Sequence, residues 1–479
     1  MVRGATFLFV AIAASAVPAC SGHGGGDDDG PGTAPLGEPT DTVPSFYGKV
    51  PSNLLILSVD TFRRDRAGKY RPGAMPFLEQ IMEEGFTLDN HMECANWTLM
   101  GTACSNNGRY NEDNGFVPEL GNLLRGPLPD GPTLASTLAD NGWYTILATG
   151  NSWFSAEWNN AQGFDEAELT GGAAVNIYGR GESMLSSAIL RGEVGDGWMV
   201  HAHLMEPHAP YNPPADYLAG EASLPPIPWD LSVKDEHYAA GSEYPALTPD
   251  EQANLAAHMN LRYDGELAHL DDQFRTIWAD LTARSLLEDT LVVIFNDHGE
   301  QIWEHGQESH AYSLYREEND GIAVFWAQNI LPGAWTGPTS QIDLAPTIIA
   351  LLGQEVPVEM TGVPVGESPE DRPLFALTSA RNNTIQAVRQ NEHKLIYTWA
   401  TGGVELFDLE ADPTEQNNVY DPTDPVALQL WDLLLPRIEL TQPLIFDDAP
   451  TWPAGLPRPT DPTTPVDPEP AIDTGTGGT

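Results

Sequence analysis

Basic residues are scarce in this chain. It carries 22 Lys and Arg against 69 Asp and Glu, for a formal net charge of -47. That excludes nucleic acid as a partner, because a phosphate backbone is held by clustered cations. It also sets the protein against anionic lipid surfaces. A small anion remains admissible where a metal or a few placed cations reverse the local field. Internal repeats are missing too, which excludes a solenoid. Beyond the first residues, no run is long and apolar enough to span a bilayer, so the body is expected to be soluble. Cysteine is scarce at three residues, Cys20, Cys94 and Cys104. What is present in quantity is apolar: hydrophobic residues make up 41% of 479, enough for a sizeable core and for two or three domains. The acidic excess is spread along the chain, as in a secreted protein from a salty environment.

The ends carry little to bury. Arg3 and the apolar stretch Phe7 to Ala16 read as a signal peptide over residues 1–19. Val17-Pro18-Ala19-Cys20 resembles a bacterial lipobox, implying cleavage before Cys20 and acylation of it, with several chains giving stable anchoring. The expected location is therefore the bacterial cell envelope or surface, with full secretion as the alternative. Residues 20–48 read as a lipid-anchored flexible tether and 448–479 as a disordered Pro/Thr-rich tail. In an exported protein the remaining pair, Cys94 and Cys104, is either a disulfide or two buried thiols, and spacing leaves both open.

Between the ends, short apolar runs alternate with helical spacing. Asn53 to Val59, Tyr144 to Ala148, Trp198 to Leu204 and Leu291 to Phe295 read as strands. Met75 to Gly85, Thr133 to Gly142, Asp250 to Leu281 and Ile342 to Leu352 read as helices. The alternation predicts an α/β fold, a mainly parallel sheet between helix layers, over residues 49–358. A smaller C-terminal subdomain is expected over 359–447. Ligands of such sheets sit beyond the carboxyl ends of the strands. There this chain places Asp60, the stretch His201 to His208, and Asn296-Asp297-His298. Two carboxylates and an imidazole converging from separate strand ends suit one hard divalent ion.

The motifs in order resemble those of sulfatase-like hydrolases of the alkaline phosphatase superfamily. Asn53 to Arg66 is similar to the family's opening strand, whose Asp binds metal; here that residue is Asp60. His203-Leu-Met-Glu-Pro-His-Ala-Pro-Tyr211 resembles its His-x-x-Asp-Pro-His-x-Pro-Tyr segment, with Glu206 in place of Asp. Tyr263 to Asp271 resembles the following helix. Asp297-His-Gly-Glu with Glu304-His-Gly and His310 resembles the second metal motif, and Glu405 to Asn418 the closing segment. The resemblance implies that Asp60, Asp297 and His298 hold one divalent ion (Ca, Mg, Mn or Zn). It implies that His208 and His310 face the substrate.

The departures matter. The family's Cys-x-Pro-x-Arg, source of a formylglycine nucleophile, is absent. Counting back from Gly108-Arg109-Tyr110 puts the nucleophile position on Thr98, in Asn96-Trp97-Thr98-Leu99, with Thr102 where the motif's Arg stands. A Thr hydroxyl needs metal coordination to become a nucleophile, which makes Thr98 both a catalytic residue and a metal ligand. A sulfated Thr lacks the elimination open to formylglycine, so the chemistry leans toward phosphate esters. The expected substrate is a small-molecule, glycan or lipid ester. The alternatives are an envelope phosphoryl-group transferase and a non-catalytic binding lipoprotein. Thr98 as a helix cap, His208 as a brace between Pro207 and Pro210, and His310 as a solvated loop residue are the bland readings. His201, His203 and His269 read as structural or supporting, His305 as supporting, and Asp264, Asp271 and Asp272 as a solvated helix face.

Overall fold

The apolar run Asn53–Val59 forms strand β1, buried on both faces from Leu54 onward, as a central parallel strand must be. The computed structural model describes residues 43–445, apart from 121, 122, 125 and 382. The expected signal peptide, Cys20, most of the tether and the tail lie outside the described residues. The helix α1 (Pro76–Glu84) follows, then β2 (Phe86–Leu88), α2 (Thr98–Asn107), α3 (Leu134–Asp140) and β3 (Trp143–Thr149). After these come β4 (Glu166–Leu169), α4 (Ala174–Arg191), β5 (Gly197–Leu204), α5 (Pro249–Ala283), β6 (Thr290–Asn296), β7 (Ala323–Trp326), β8 (Gly333–Trp335) and α6 (Leu344–Leu351). The helix α5 starts at a capping box, Thr248 with Glu251, and has Pro249 in its first turn, where the missing N–H costs nothing.

The eight strands form one sheet in the order β8-β2-β7-β6-β1-β5-β3-β4. Only β7 runs against its neighbours. One face carries a core in which Leu55, Leu57 and Val59 meet helices α1, α4 and α5. The other buries Leu54 and Ile56 against α3 and α6. This is the helix-covered parallel sheet that the alternation of runs predicts.

The register sets the chemistry. Val59 lies opposite Leu204 on one side and Asn296 on the other. Asp60 and Asp297 therefore leave adjacent strand ends side by side. Their own backbones continue the ladder for one more step, Asp60 N–H to Leu204 O at 3.0 Å and Asp297 N–H to Val59 O at 3.3 Å.

A separate antiparallel meander, β9 (Leu374–Ala380), β10 (Asn383–Gln390), β11 (His393–Thr398) and β12 (Gly403–Asp408), closes the chain with α7 (Pro425–Ile445). One face packs on α7 through Val388, Leu395, Trp431 and Leu434. The other packs on the main body through Ala376, Ile396, Phe407, Met92 and Leu314. No helix among the described residues is long and apolar enough to cross a membrane.

The expected solvated face on α5 is partly wrong. Asp271 is buried and accepts the Phe77 and Leu78 N–H groups at 3.0 and 2.8 Å, satisfying the start of α1. Asp264 instead pairs with Arg66 and Arg71.

Leu57 is fully buried in the central strand. Leu57→Ala is expected to lower stability by about 2–5 kcal/mol. The check is urea unfolding, with the midpoint falling and the slope unchanged.

Candidate active site

Thr98 opens α2, and every residue of that helix is buried. Trp97 before it is extended, and no side chain caps the helix, which leaves its first N–H groups without a capping partner. Gly101 lets this turn approach β6: a Cβ there would lie 2.5 Å from the Asp297 carbonyl oxygen. Cys94 and Cys104 are joined in a disulfide that spans the segment carrying Thr98. Gln341 ties the same segment to the metal strand, accepting from Cys94 N–H at 3.3 Å and donating to Asp297 O at 2.8 Å.

Asp60, Asp297 and His298 each offer one atom, and these lie within 4.8 Å of one another. His298 Nε2 is 3.6 Å from both Asp60 Oδ1 and Asp297 Oδ2. All three residues are fully buried, and these three atoms have no hydrogen-bond partner. Buried polar atoms are seldom left so, and three aimed at one point fit a cation. The backbone prepares the imidazole: His298 Nδ1 donates to Gly299 O at 2.8 Å, leaving the Nε2 lone pair for a metal. The electrostatics are split. Burial pushes the Asp60 carboxyl up, but the imidazoles of His208, His203 and His298 outweigh it and hold it below the usual range. Burial, with Asp60 beside it, pushes Asp297 well up, and burial drives His298 well down.

Thr98 Oγ1 donates to Asp60 Oδ2 at 3.4 Å. His208 and His310 lie beside the metal histidine. The His310 ring lies 4.5 Å from that of His298 and 5.3 Å from that of His208. His310 is no solvated loop residue: burial, then His208, pushes its imidazole down to about 3. All six residues expected from the sequence, Asp60, Thr98, His208, Asp297, His298 and His310, thus meet in one place.

Three further residues belong there. Asn151, just past β3, donates from Nδ2 to Asp60 Oδ2 at 2.8 Å and to Thr98 Oγ1 at 3.2 Å. Its Oδ1 accepts from Trp153 N–H at 3.0 Å, which fixes the amide's orientation. No sequence signal marked it. Glu300 holds His310 Nδ1 at 2.9 Å; it stands in the Asp-His-Gly-Glu motif, so its position was visible but its role was not. Burial pushes Glu300 up to about 8. His203 is closer than a merely structural residue, 3.4 Å from Asp60 Oδ2 and held by Ser58 Oγ at 2.8 Å.

Where the motif's Arg would stand, Thr102 bonds Thr98 O and accepts from Asn160 Nδ2 at 2.6 Å. That corner is neutral. Glu206, in place of the usual Asp, accepts Ala174 N–H at 3.0 Å and so serves the start of α4. His305 stacks on Tyr315 with its ring 3.7 Å away.

A family model described as Sulfatase matches residues 52–354. The chain is 27% identical over 259 residues to a choline-sulfatase of Rhizobium meliloti (strain 1021), covering 48% of each. It is 21% identical over 293 residues to an arylsulfatase of Clostridium perfringens (strain 13 / Type A), covering 57% of each. The chain spans about half the length of the curated relatives it matches. Among solved structures, a phosphonate monoester hydrolase from Silicibacter pomeroyi superposes with a TM-score of 0.60 at 19% identity, over 82% of this chain and 96% of that one. A protein bound to its substrate, D-glucosamine-2-N,6-O-disulfate, gives 0.62 at 18% identity, over 84% and 99%. At such identities the likeness shows the fold.

Behind the site, Glu318 accepts from Gln301 at 2.6 Å and from Asn96 and Ser313 at 2.8 Å. Burial outweighs these donors and pushes its carboxyl up from 4.5 to about 7. The folded state therefore holds a proton that the unfolded chain releases above 4.5, so stability is lost as pH rises through that window. The contribution is about 3 kcal/mol between pH 5 and 8. Urea unfolding of metal-free protein at both values is expected to show the wild type losing more than Glu318→Gln, which carries no titrating proton.

Proposed function

The chain belongs to the sulfatase family of the alkaline phosphatase superfamily, and from that premise we propose that it is a metal-dependent hydrolase of sulfate or phosphate esters with Thr98 as nucleophile. Sulfatase-family enzymes are metal-dependent. The observation that carries the reading is the convergence of Asp60 Oδ1, Asp297 Oδ2 and His298 Nε2, without partners, beside a threonine at a helix start. A divalent ion held by these residues would polarise the ester oxygens and lower the pKa of the Thr98 hydroxyl.

The chain's own groups do the rest. The Thr98 hydroxyl points its proton at Asp60 and receives a hydrogen bond from Asn151, so its remaining lone pair is directed at the incoming ester. As Thr98 Oγ1 bonds to phosphorus or sulfur, its proton passes to Asp60, the bond to the leaving oxygen breaks, and that oxygen takes a proton from His208. Glu300 holds the far nitrogen of His310 and keeps its ring turned inward. The unpaired N–H groups at the start of α2 face the oxygens of the group carried on Thr98. Water then attacks the esterified Thr98 and regenerates the hydroxyl. Attack at phosphorus is the easier release, because esterified Thr98 has no second hydroxyl through which a sulfate could be eliminated. Phosphate esters are therefore favoured over sulfate esters.

The test is a panel of aryl phosphates, phosphodiesters and aryl sulfates, assayed with Mn, Mg, Ca or Zn restored. Thr98→Ala is expected to lower kcat/KM by at least about 10³-fold while the fold, followed by circular dichroism, stays intact. Mass spectrometry of quenched wild type should place the transferred group on Thr98. Turnover of no ester with any of the four metals would remove the proposal, and full activity in Thr98→Ala would move the nucleophile elsewhere.

A further inference from the structure

Strands β2 and β8 are parallel to each other and antiparallel to β7, which is itself antiparallel to β6. Their carboxyl ends therefore lie on the same edge of the sheet as Asp297, two and three strands along, where sheets of this kind take ligands. Beyond those ends the C-terminal meander covers a cavity of 730 Å³. Asn90 follows β2, Trp335 ends β8, and Arg389, Glu392 and Lys394 come from the corner between β10 and β11. Arg316 and Arg372 line it as well, so a chain with 22 basic residues sets four of them around one cavity. Three of the four have a carboxylate of their own: Lys394 pairs with Glu415 at 3.0 Å, Arg372 with Asp343 at 2.8 Å and Arg316 with Asp320 at 3.1 Å. Arg389 does not. It is only 8% exposed, its Nη2 donates to the neutral Asn90 Oδ1, and the nearest carboxylate oxygen, Asp320 Oδ1, stands 3.9 Å from Nη1. Among the described residues, its Nε and Nη1 have no hydrogen-bond partner. Burial outweighs Asp320 and pushes the guanidinium below its ordinary range. A buried cation so poorly answered is costly until an anion meets it.

We propose that this cavity is a binding site for a sugar acid, with Arg389 taking the acid group. The free guanidinium nitrogens offer charge-assisted hydrogen bonds to a carboxylate or sulfate, and the buried charge gains the counter-ion it lacks. The hydroxylated part of the ligand follows from the rest of the lining. Glu370, Glu392 and Asn391 can accept from hydroxyl groups, and Trp335 supplies an aromatic wall. The volume exceeds what an inorganic anion needs and matches a molecule of one or two sugar rings. Glu370 and Glu392 also disfavour a second acid group, so the ligand carries its negative charge at one end. A molecule bound here bridges the meander, through Arg389, to the strand ends of the main body, through Asn90. The site is separate from the metal centre and does not depend on the hydrolase reading.

The experiment is calorimetric binding of D-glucuronate to the full metal-loaded chain at fixed ionic strength, with D-glucose as the uncharged control. The wild type should bind glucuronate at least about tenfold more tightly than glucose. Arg389→Gln should weaken glucuronate by at least about tenfold, and Arg389→Lys, which keeps the charge without the planar fork, should fall between the two. Asp297→Asn, which disables the metal centre, should bind glucuronate as the wild type does. A guanidinium that only ties the meander to Asn90 would change stability and leave these affinities alone. No binding of glucuronate by the wild type, equal affinity for the two sugars, or undiminished binding in Arg389→Gln overturns the proposal. Loss of binding in Asp297→Asn overturns it too, since the sugar would then sit at the metal. Arg389→Lys serves if Arg389→Gln does not fold. Because no turnover is measured, a chain that cleaves no ester can still pass this test, and one that cleaves esters can still fail it.

Discussion

Three buried polar atoms without a protein partner, held within one small sphere, are the constraint around which this structure is arranged. Leaving Asp60 Oδ1, Asp297 Oδ2 and His298 Nε2 unsatisfied costs free energy in a dry interior, and so does placing two carboxylates together. The surrounding fold has to hold them there. It does so with the buried parallel strands β1 and β6, whose register makes Asp60 and Asp297 neighbours. The long helix α5 adds Tyr263, which donates to Thr61 O at 2.8 Å and accepts from Arg63 N–H at 2.9 Å, pinning the chain as it leaves β1.

The same constraint explains the approach of α2. A nucleophile has to enter this sphere from a different element, and two features bring it in. Gly101 removes the Cβ that would strike Asp297, and the disulfide with Gln341 ties both ends of the segment to the metal strand. The side chains around Thr98 are then neutral or acidic except for imidazoles. His203, His208, His298 and His310 bring imidazoles together there, beside Asp60. The small C-terminal meander completes the arrangement, since its first hairpin is packed into the cluster behind the nucleophile.

Stability and function pull against each other here in a way that individual residues record. Asp271 and Glu206 look like surface acids by type, yet each serves a helix start. Both sit among buried backbone donors that would otherwise go unpaired. Glu318 and Glu300 are buried acids that organise the amides and the imidazole around the site. The acidic composition is therefore partly structural.

Composition, periodicity and motif order were enough for the α/β class, the strand ends and six converging side chains. Each of those signals is local: an apolar run makes a buried strand wherever it stands, and the residue that follows it is at the strand's end. The sequence also carried the departure at Thr98 and the neutral position at Thr102. Tertiary structure alone decided the rest. Asn151 is one polar residue in a polar turn, and only the parallel pairing of β3 with β5, next to β1, brings its amide to Thr98. Asp271 follows the helical pattern of a solvated face until α1 packs end-on against it. Whether Cys94 and Cys104 join depends on how a helix folds back on its own entry loop, which spacing cannot specify. These contacts arise between elements distant along the chain, and local physics says nothing about which distant partner a side chain will meet.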